Sequence, residues 1–229
     1  MTLPFLISVP HAGLQVPQEV SEICVLNAGQ IARDGDEGAA EIYHPLRDSV
    51  AAFVTTDVAR AVVDLNRAED DFRKDGVIKT HTCWEVPVYR EYPSEEVIRA
   101  LIEKYHRPYH AELRRLSAGL RLGVDCHTMA AKGPPVGPDP GRERHWVCLS
   151  DSESLPGEWM DLIVDCFSRV FGRNVSVNDP FKGGYIIRSH VYEIPWLQLE
   201  LSRAPFMTDV QKSQLVLQAL RAFDEAVGG

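Results

Sequence analysis

The chain has 229 residues, of which 45% are hydrophobic and 25% charged, the proportions of an ordinary globular protein with room for one large α/β domain. Its 33 acidic residues outnumber 24 basic ones, for a net charge of -9, and no basic block occurs, which excludes a phosphate-backbone partner. Five widely spaced cysteines without a Cys-x-x-Cys pair read as reduced thiols of a cytoplasmic protein, and no apolar run is long enough for a membrane span.

Leu3 to Val9 is an apolar run ending at Pro10, which suits a buried strand, and it lacks the basic leader of a signal peptide. Asp34 to Asp36 resemble a helix N-cap region, with helix expected to about Arg47. Ala52 to Thr56 and Ala61 to Leu65 read as strands. Pro93-Ser94-Glu95-Glu96 opens a long helix carrying Val97, Leu101, Tyr105, Tyr109, Leu113 and Leu116 at helical spacing, ending before Gly123. Leu122 to Cys126 is a further strand that ends at His127, and the proline- and glycine-rich stretch 133–141 is a long loop after it. Trp146 to Leu149 reads as a strand, Glu158 to Phe171 as a helix, Trp196 to Leu201 as a strand, and Thr208 opens a closing helix. Alternating strands and helices without a linker predict one domain over 1–229, a three-layer α/β sandwich around a mixed, mostly parallel sheet.

Polar residues interrupt this frame at few places. His11 and His127 both fall at expected strand C-termini, where open α/β sheets build their sites. Two imidazoles and one acid suffice to hold zinc with an open position, and Asp36 or Glu37 could supply the acid, although both also fit helix capping. Asp125 is expected to alternate away from His127 along the strand, so that it need not be its partner. His106 and His110, one helical turn apart, offer a competing metal pair, though packing suits them better. Arg67 could grip a carboxylate bidentately or pair with Asp70 or Asp71, while Asp64 and Asn66 serve equally as turn formers. In Trp196 to Leu201, Gln198 and Glu200 share one strand face and leucines the other; a buried glutamate there needs a partner or a job, whereas an edge strand would leave it in water. Gly183-Gly184 lacks the lysine and spacing of a phosphate loop and reads as a tight turn.

Taken together, Ser8-Val9-Pro10-His11-Ala12-Gly13, Asp64-Leu65-Asn66-Arg67, Asp125-Cys126-His127-Thr128-Met129, Asn178 to Tyr185 and Leu197 to Arg203 resemble, in that order, the N-formylglutamate amidohydrolase family. Their order also looks like the zinc carboxypeptidase and aspartoacylase superfamily. The resemblance spans nearly the whole chain and implies a zinc-carboxypeptidase-like sandwich. It further implies one zinc ion, or another divalent metal, held by His11, Asp36 and His127 with Glu37 as substitute for Asp36. Arg67, with Asn66 beside it and Arg60 assisting, would bind a small carboxylated N-acyl amino acid. Glu200 would be the general base and later acid of amide hydrolysis. Thr128 stands where serine is expected, and His190-Val191-Tyr192-Glu193-Ile194-Pro195 departs from the family pattern in a segment expected near the substrate. That departure leaves open a deacylase or carboxypeptidase of another N-acyl amino acid or short peptide. A non-catalytic metal- or amino-acid-binding protein is the remaining alternative, and Glu200 argues against it.

Overall fold

The computed structural model describes residues 2–228 and contains a six-stranded mixed sheet. Its strands are β1 (Leu3–Val9), β2 (Val50–Thr55), β3 (Leu122–Met129), β4 (Val147–Ser150), β5 (Val175–Val177) and β6 (Trp196–Ser202), in the order β2-β1-β3-β6-β4-β5. β2, β1, β3 and β6 run parallel, β4 pairs antiparallel with β6, and β5 is parallel to β4. This is the mixed, mostly parallel α/β sheet read from the sequence. The helices are α1 (Ala28–Asp34), α2 (Ala39–Tyr43), α3 (Glu95–Leu101), α4 (Arg107–Leu116), α5 (Trp159–Phe171), α6 (Tyr185–His190) and α7 (Asp209–Gly228). No helix among the described residues is long and apolar enough to cross a membrane.

Period-two alternation in the central strands sorts side chains onto two faces. Phe5, Ile7 and Val9 of β1, Val124 and Cys126 of β3, and Leu197, Leu199 and Leu201 of β6 enter one core with α2, α5 and α7. Leu6 and Trp196 enter a second core with α3, α4 and α6. On that second face the C-terminal halves of the strands turn polar: Ser8, Asp125, His127, Gln198 and Glu200 are all buried there. β6 lies between β3 and β4 and is buried along its whole length, so Glu200 does not sit on an edge strand in water.

Several boundaries differ from expectation. Asn27, through a capping box with Gln30, starts α1, which ends at Asp34; the acids therefore close one helix and form the turn before α2 instead of capping a helix to Arg47. His44 to Ser49 tightens into a 3₁₀ segment with Pro45 in its first turn, where the missing amide donor is tolerated. Ala61 to Leu65 forms turns, not a strand: the Val63 N–H bonds back to Ala59, and the Asp64 N–H goes to the Val77 carbonyl of an irregular stretch. β3 continues to Met129, so His127 lies inside the strand. The long helix is continuous across α3 and α4 but passes through a π-turn at Ile102–His106.

Gly123 of β3 has no room for a side chain: a Cβ there would meet the fully buried Trp196 ring at 2.4 Å. Gly123→Val is expected to destabilise the fold by about 1–3 kcal/mol through overpacking, seen as a lower midpoint in denaturant titration. An unchanged midpoint would mean that the indole moves aside freely.

Candidate metal centre and substrate cavity

His11, Asp36 and His127 converge at the C-terminal end of the parallel strands, with one donor atom from each lying within 4.8 Å of the others. Each is delivered by a different device. His11 follows β1 directly, and its carbonyl accepts the Asp36 N–H at 3.2 Å, joining the first loop to the turn before α2. Asp36 Oδ2 accepts the Thr128 N–H at 3.1 Å, while the Thr128 hydroxyl donates to the Glu37 carbonyl at 2.9 Å. His127 is fixed by β3 and by the Tyr43 hydroxyl, which donates to its carbonyl at 2.8 Å. Glu37 itself is exposed and offers only that backbone oxygen, so Asp36 is the acid facing the histidines.

Both imidazoles are oriented by carboxylates from behind. His11 Nε2 lies 2.9 Å from Asp64 Oδ1, and His127 Nε2 lies 2.8 Å from Asp125 Oδ2. With the Nε2 protons donated backwards, both Nδ1 atoms face Asp36 Oδ2, at 3.6 Å from His11 and 2.9 Å from His127. His11 Nδ1 is buried and has no hydrogen-bond partner. These separations straddle the roughly 3.4 Å edge of a tetrahedron of 2.0–2.1 Å bonds. Two imidazole nitrogens backed by carboxylates and one carboxylate oxygen therefore fit a metal ion. Asp125 is thus the partner of His127: residues two apart share a strand face, and the expectation that Asp125 alternates away was mistaken.

The buried charges compensate one another. Burial opposes ionisation of Asp36, but His11 and His127 hold its carboxyl well below the usual range. Burial likewise opposes charging His127, yet Asp125 and Asp36 raise it well above an ordinary imidazole. Asp64 is held low against the same burial by His11, Arg67, Arg60 and Lys79. Arg60 Nε donates to Asp64 at 3.1 Å, and Lys79, fully buried, lies 3.1 Å from Asp34 and 3.4 Å from Asp64.

Glu200 faces this group from the neighbouring strand, with His127 and Glu200 in register. Only 6% exposed, it is pushed above the usual carboxylate range by burial, with His127 acting in the opposite direction. Gln198 donates to Glu200 Oε1 at 2.9 Å and accepts from the Gly184 amide. Gly184 packs so tightly on the Asn66 side-chain amide that a Cβ would lie 2.3 Å from it, so the glycine turn packs against a site residue. Asn66 donates to Asp125 at 3.3 Å and accepts from the Ile186 amide at 2.8 Å.

These residues open into a cavity of about 490 Å³ walled partly by Pro134, Val136 and Pro138 of the long loop. Seven basic side chains line it against three acidic ones, inverting the sign of the whole chain. Arg67 is among them, its Nε donating to the Asp75 carbonyl at 3.0 Å and its Nη2 lying 3.6 Å from that residue's carboxylate; its neighbour in charge is Asp75, neither Asp70 nor Asp71. Arg60 also lines the cavity but is committed to Asp64. Lys182, exposed at the mouth, makes no ion pair among the described residues. None of residues 190–195 lines this cavity, although the segment was expected near the substrate. Sequence reasoning missed Lys79, gave Lys182 and Arg203 no role, saw Gln198 only as sharing the Glu200 face, and gave Asp64 and Asp125 no role behind the histidines. The alternation of β6, which places Gln198 on the Glu200 face, was the one signal available.

An α/β sheet carrying a candidate metal centre beside a buried carboxylate, at the mouth of a basic cavity, defines the class of protein. The family model for N-formylglutamate amidohydrolase matches residues 3–207, and the chain belongs to that family. It is 29% identical to an N-formylglutamate deformylase of Pseudomonas putida over 225 residues, covering 91% of this chain and 84% of that protein. The Pseudomonas aeruginosa deformylase is also 29% identical, over 90% of this chain and 83% of its own length. The fold matches the crystal structure of a Ralstonia eutropha N-formylglutamate amidohydrolase with a TM-score of 0.75 at 20% identity, covering 100% of this chain and 95% of that one.

Asp125→Asn keeps the shape behind His127 but removes the charge. It is expected to weaken metal binding by about 10–100-fold, measured by competition with a chromophoric chelator. Equal affinity in the variant would remove Asp125 from the support of the site.

Proposed function

We propose that the protein is a metal-dependent amidohydrolase that cleaves N-formyl-L-glutamate to formate and glutamate. The observation that carries this reading is the pairing of the His11, Asp36 and His127 group with a buried Glu200 in register beside it, both opening into one basic cavity. Family membership supplies the substrate class.

In this reading His11 Nδ1, Asp36 and His127 Nδ1 hold the ion, and Asp36 is preferred to the exposed Glu37 because it faces both histidines. Zinc suits a two-imidazole, one-carboxylate donor set, and when bound it would polarise the formyl oxygen and acidify a water. Glu200 accepts the proton of the attacking water and delivers it to the departing amide nitrogen. A carboxyl raised by burial suits both duties, since it takes a proton from water more readily than one pinned low by a salt bridge and is then protonated to serve the leaving nitrogen. Gln198 fixes the carboxylate in place by donating to one oxygen. Arg67 takes the substrate's α-carboxylate with its guanidinium fork, and Arg60 and Asn66 complete the wall behind it. The proline-rich loop supplies Pro134, Val136 and Pro138 to the cavity wall. The five free thiols fit a reducing compartment, and we place the enzyme in the cytoplasm.

Zinc analysis of the purified protein, with glutamate release followed before and after chelation, tests the reading. One ion per chain and chelator-sensitive release of glutamate are expected. Hydrolysis that persists in metal-free protein would overturn the metal assignment, and no hydrolysis by metal-loaded protein would overturn the substrate. Glu200→Gln is expected to lower kcat by about 10²–10⁴-fold while metal content stays at one ion per chain. Arg67→Ala is expected to act chiefly on KM, raising it by roughly tenfold or more, as loss of a charge-assisted carboxylate contact should. A change confined to kcat would place Arg67 elsewhere in the reaction.

A further inference from the structure

His106 and His110 project from the long helix with the i, i+4 spacing of a metal-binding pair, and the structure gives them other partners. His106 Nε2 lies 2.8 Å from the Arg67 carbonyl, and His110 Nε2 lies 3.0 Å from the Leu65 carbonyl. A carbonyl only accepts, so both nitrogens carry the proton and donate. The two carbonyls flank Asn66 on the irregular segment that presents Asp64, Asn66 and Arg67 to the site. Behind His110, the His190 ring of α6 lies edge to edge with it at an interplanar angle of 3° and places its Nε2 2.8 Å from His110 Nδ1. That contact leaves His110 Nδ1 as acceptor and its Nε2 as donor. All three rings are buried, at 3%, 8% and 1% exposure for His106, His110 and His190.

The helix is adapted at this place. Pro108 has no N–H to give to the preceding turn, and the Arg107 N–H reaches back to Ile102, five residues away, making the π-turn from which His106 projects. The His106 and His110 ring centroids are 4.4 Å apart. Burial lowers the affinity of His106 for a proton, and burial together with the neighbouring rings brings His110 to about 3. Each is therefore neutral near pH 7, with one N–H, and that N–H is spent on a carbonyl.

We propose that His106 and His110 are positioning residues of the active site, a two-point clamp that grips the backbone on either side of Asn66 and so fixes the direction of Asn66 and Arg67. His190 locks the His110 tautomer. The clamp acts from outside the cavity, since none of the three rings lines it. The activity arm of its test rests on the amidohydrolase reading; the exchange arm does not.

Glutamine places an amide nitrogen as many bonds from the backbone as imidazole Nε2, whereas asparagine falls one bond short. His106→Gln and His110→Gln should keep the clamp, and His106→Asn and His110→Asn should lose it. Amide hydrogen exchange in the purified protein is expected to speed up about tenfold at Asn66 and Arg67 in the asparagine variants and to stay near the native rate in the glutamine variants. With N-formyl-L-glutamate, the asparagine variants should show KM raised about tenfold with metal content unchanged, and the glutamine variants near-native KM. Equal exchange at these amides in all four variants and the native protein would overturn the clamp. So would equal loss of thermal stability in both series with KM unmoved, the result of a merely structural role. Should the native protein not hydrolyse this substrate, the functional reading falls and the exchange rates still decide the clamp.

Discussion

A single carboxylate with no exposed surface, that of Asp64, is the point on which the site hangs. One oxygen accepts from His11 Nε2 and from the Asn66 amide, and the other from Arg60, with Lys79 nearby. A buried charge of this kind is tolerable only when its lone pairs are filled, because desolvation costs several kcal/mol per ion and attraction repays it only with good geometry. Filling them draws together three separate stretches of chain, at His11, at 60–66 and at Lys79. The arrangement of His11, the direction of Asn66 and the location of both cations are one requirement met once.

The same constraint explains which parts could be read from sequence. Strands β1, β3 and β6 declare themselves through apolar runs, and the long helix through its cap and its periodic apolar face, since these signals are local. His11, His127 and Glu200 were legible as polar residues at the ends of such runs. Asp64 was not, because it lies 53 residues from the imidazole it orients and nothing beside it distinguishes a supporting carboxylate from a turn former. Lys79 is hidden in the same way, in a stretch with no regular secondary structure. Asp125 was legible and was misread, since strand alternation puts it on the His127 face. Between Asp34 and Ser49, capping chemistry pointed to the right region but the wrong helix end, because Asn27 and Gln30 had already begun a helix there.

Charge is distributed against the average of the chain. A protein with an excess of acids gathers basic side chains around one cavity, so the field at its mouth attracts anions that the remaining surface repels. Most of these cations are already engaged: Arg144 with Asp139, Arg60 and Lys79 with Asp64 and Asp34, and Arg203 with the Gly35 carbonyl. The committed ones shape the walls, while Arg67, held loosely by Asp75, and Lys182, without an ion pair among the described residues, line the same space.

The antiparallel pairing of β4 with β6 sets where variation can occur. Because Val147 at the start of β4 lies beside Leu201 near the end of β6, the chain leaving β3 re-enters the sheet at the same edge it left. A parallel successor would have needed a helix to carry the chain back across the sheet. Residues 130–146 are freed from that duty and remain as a loop over the cavity. A change of length there would leave the strand order and the histidines below untouched, so the outline of the cavity and the apparatus beneath it are separable parts of one chain.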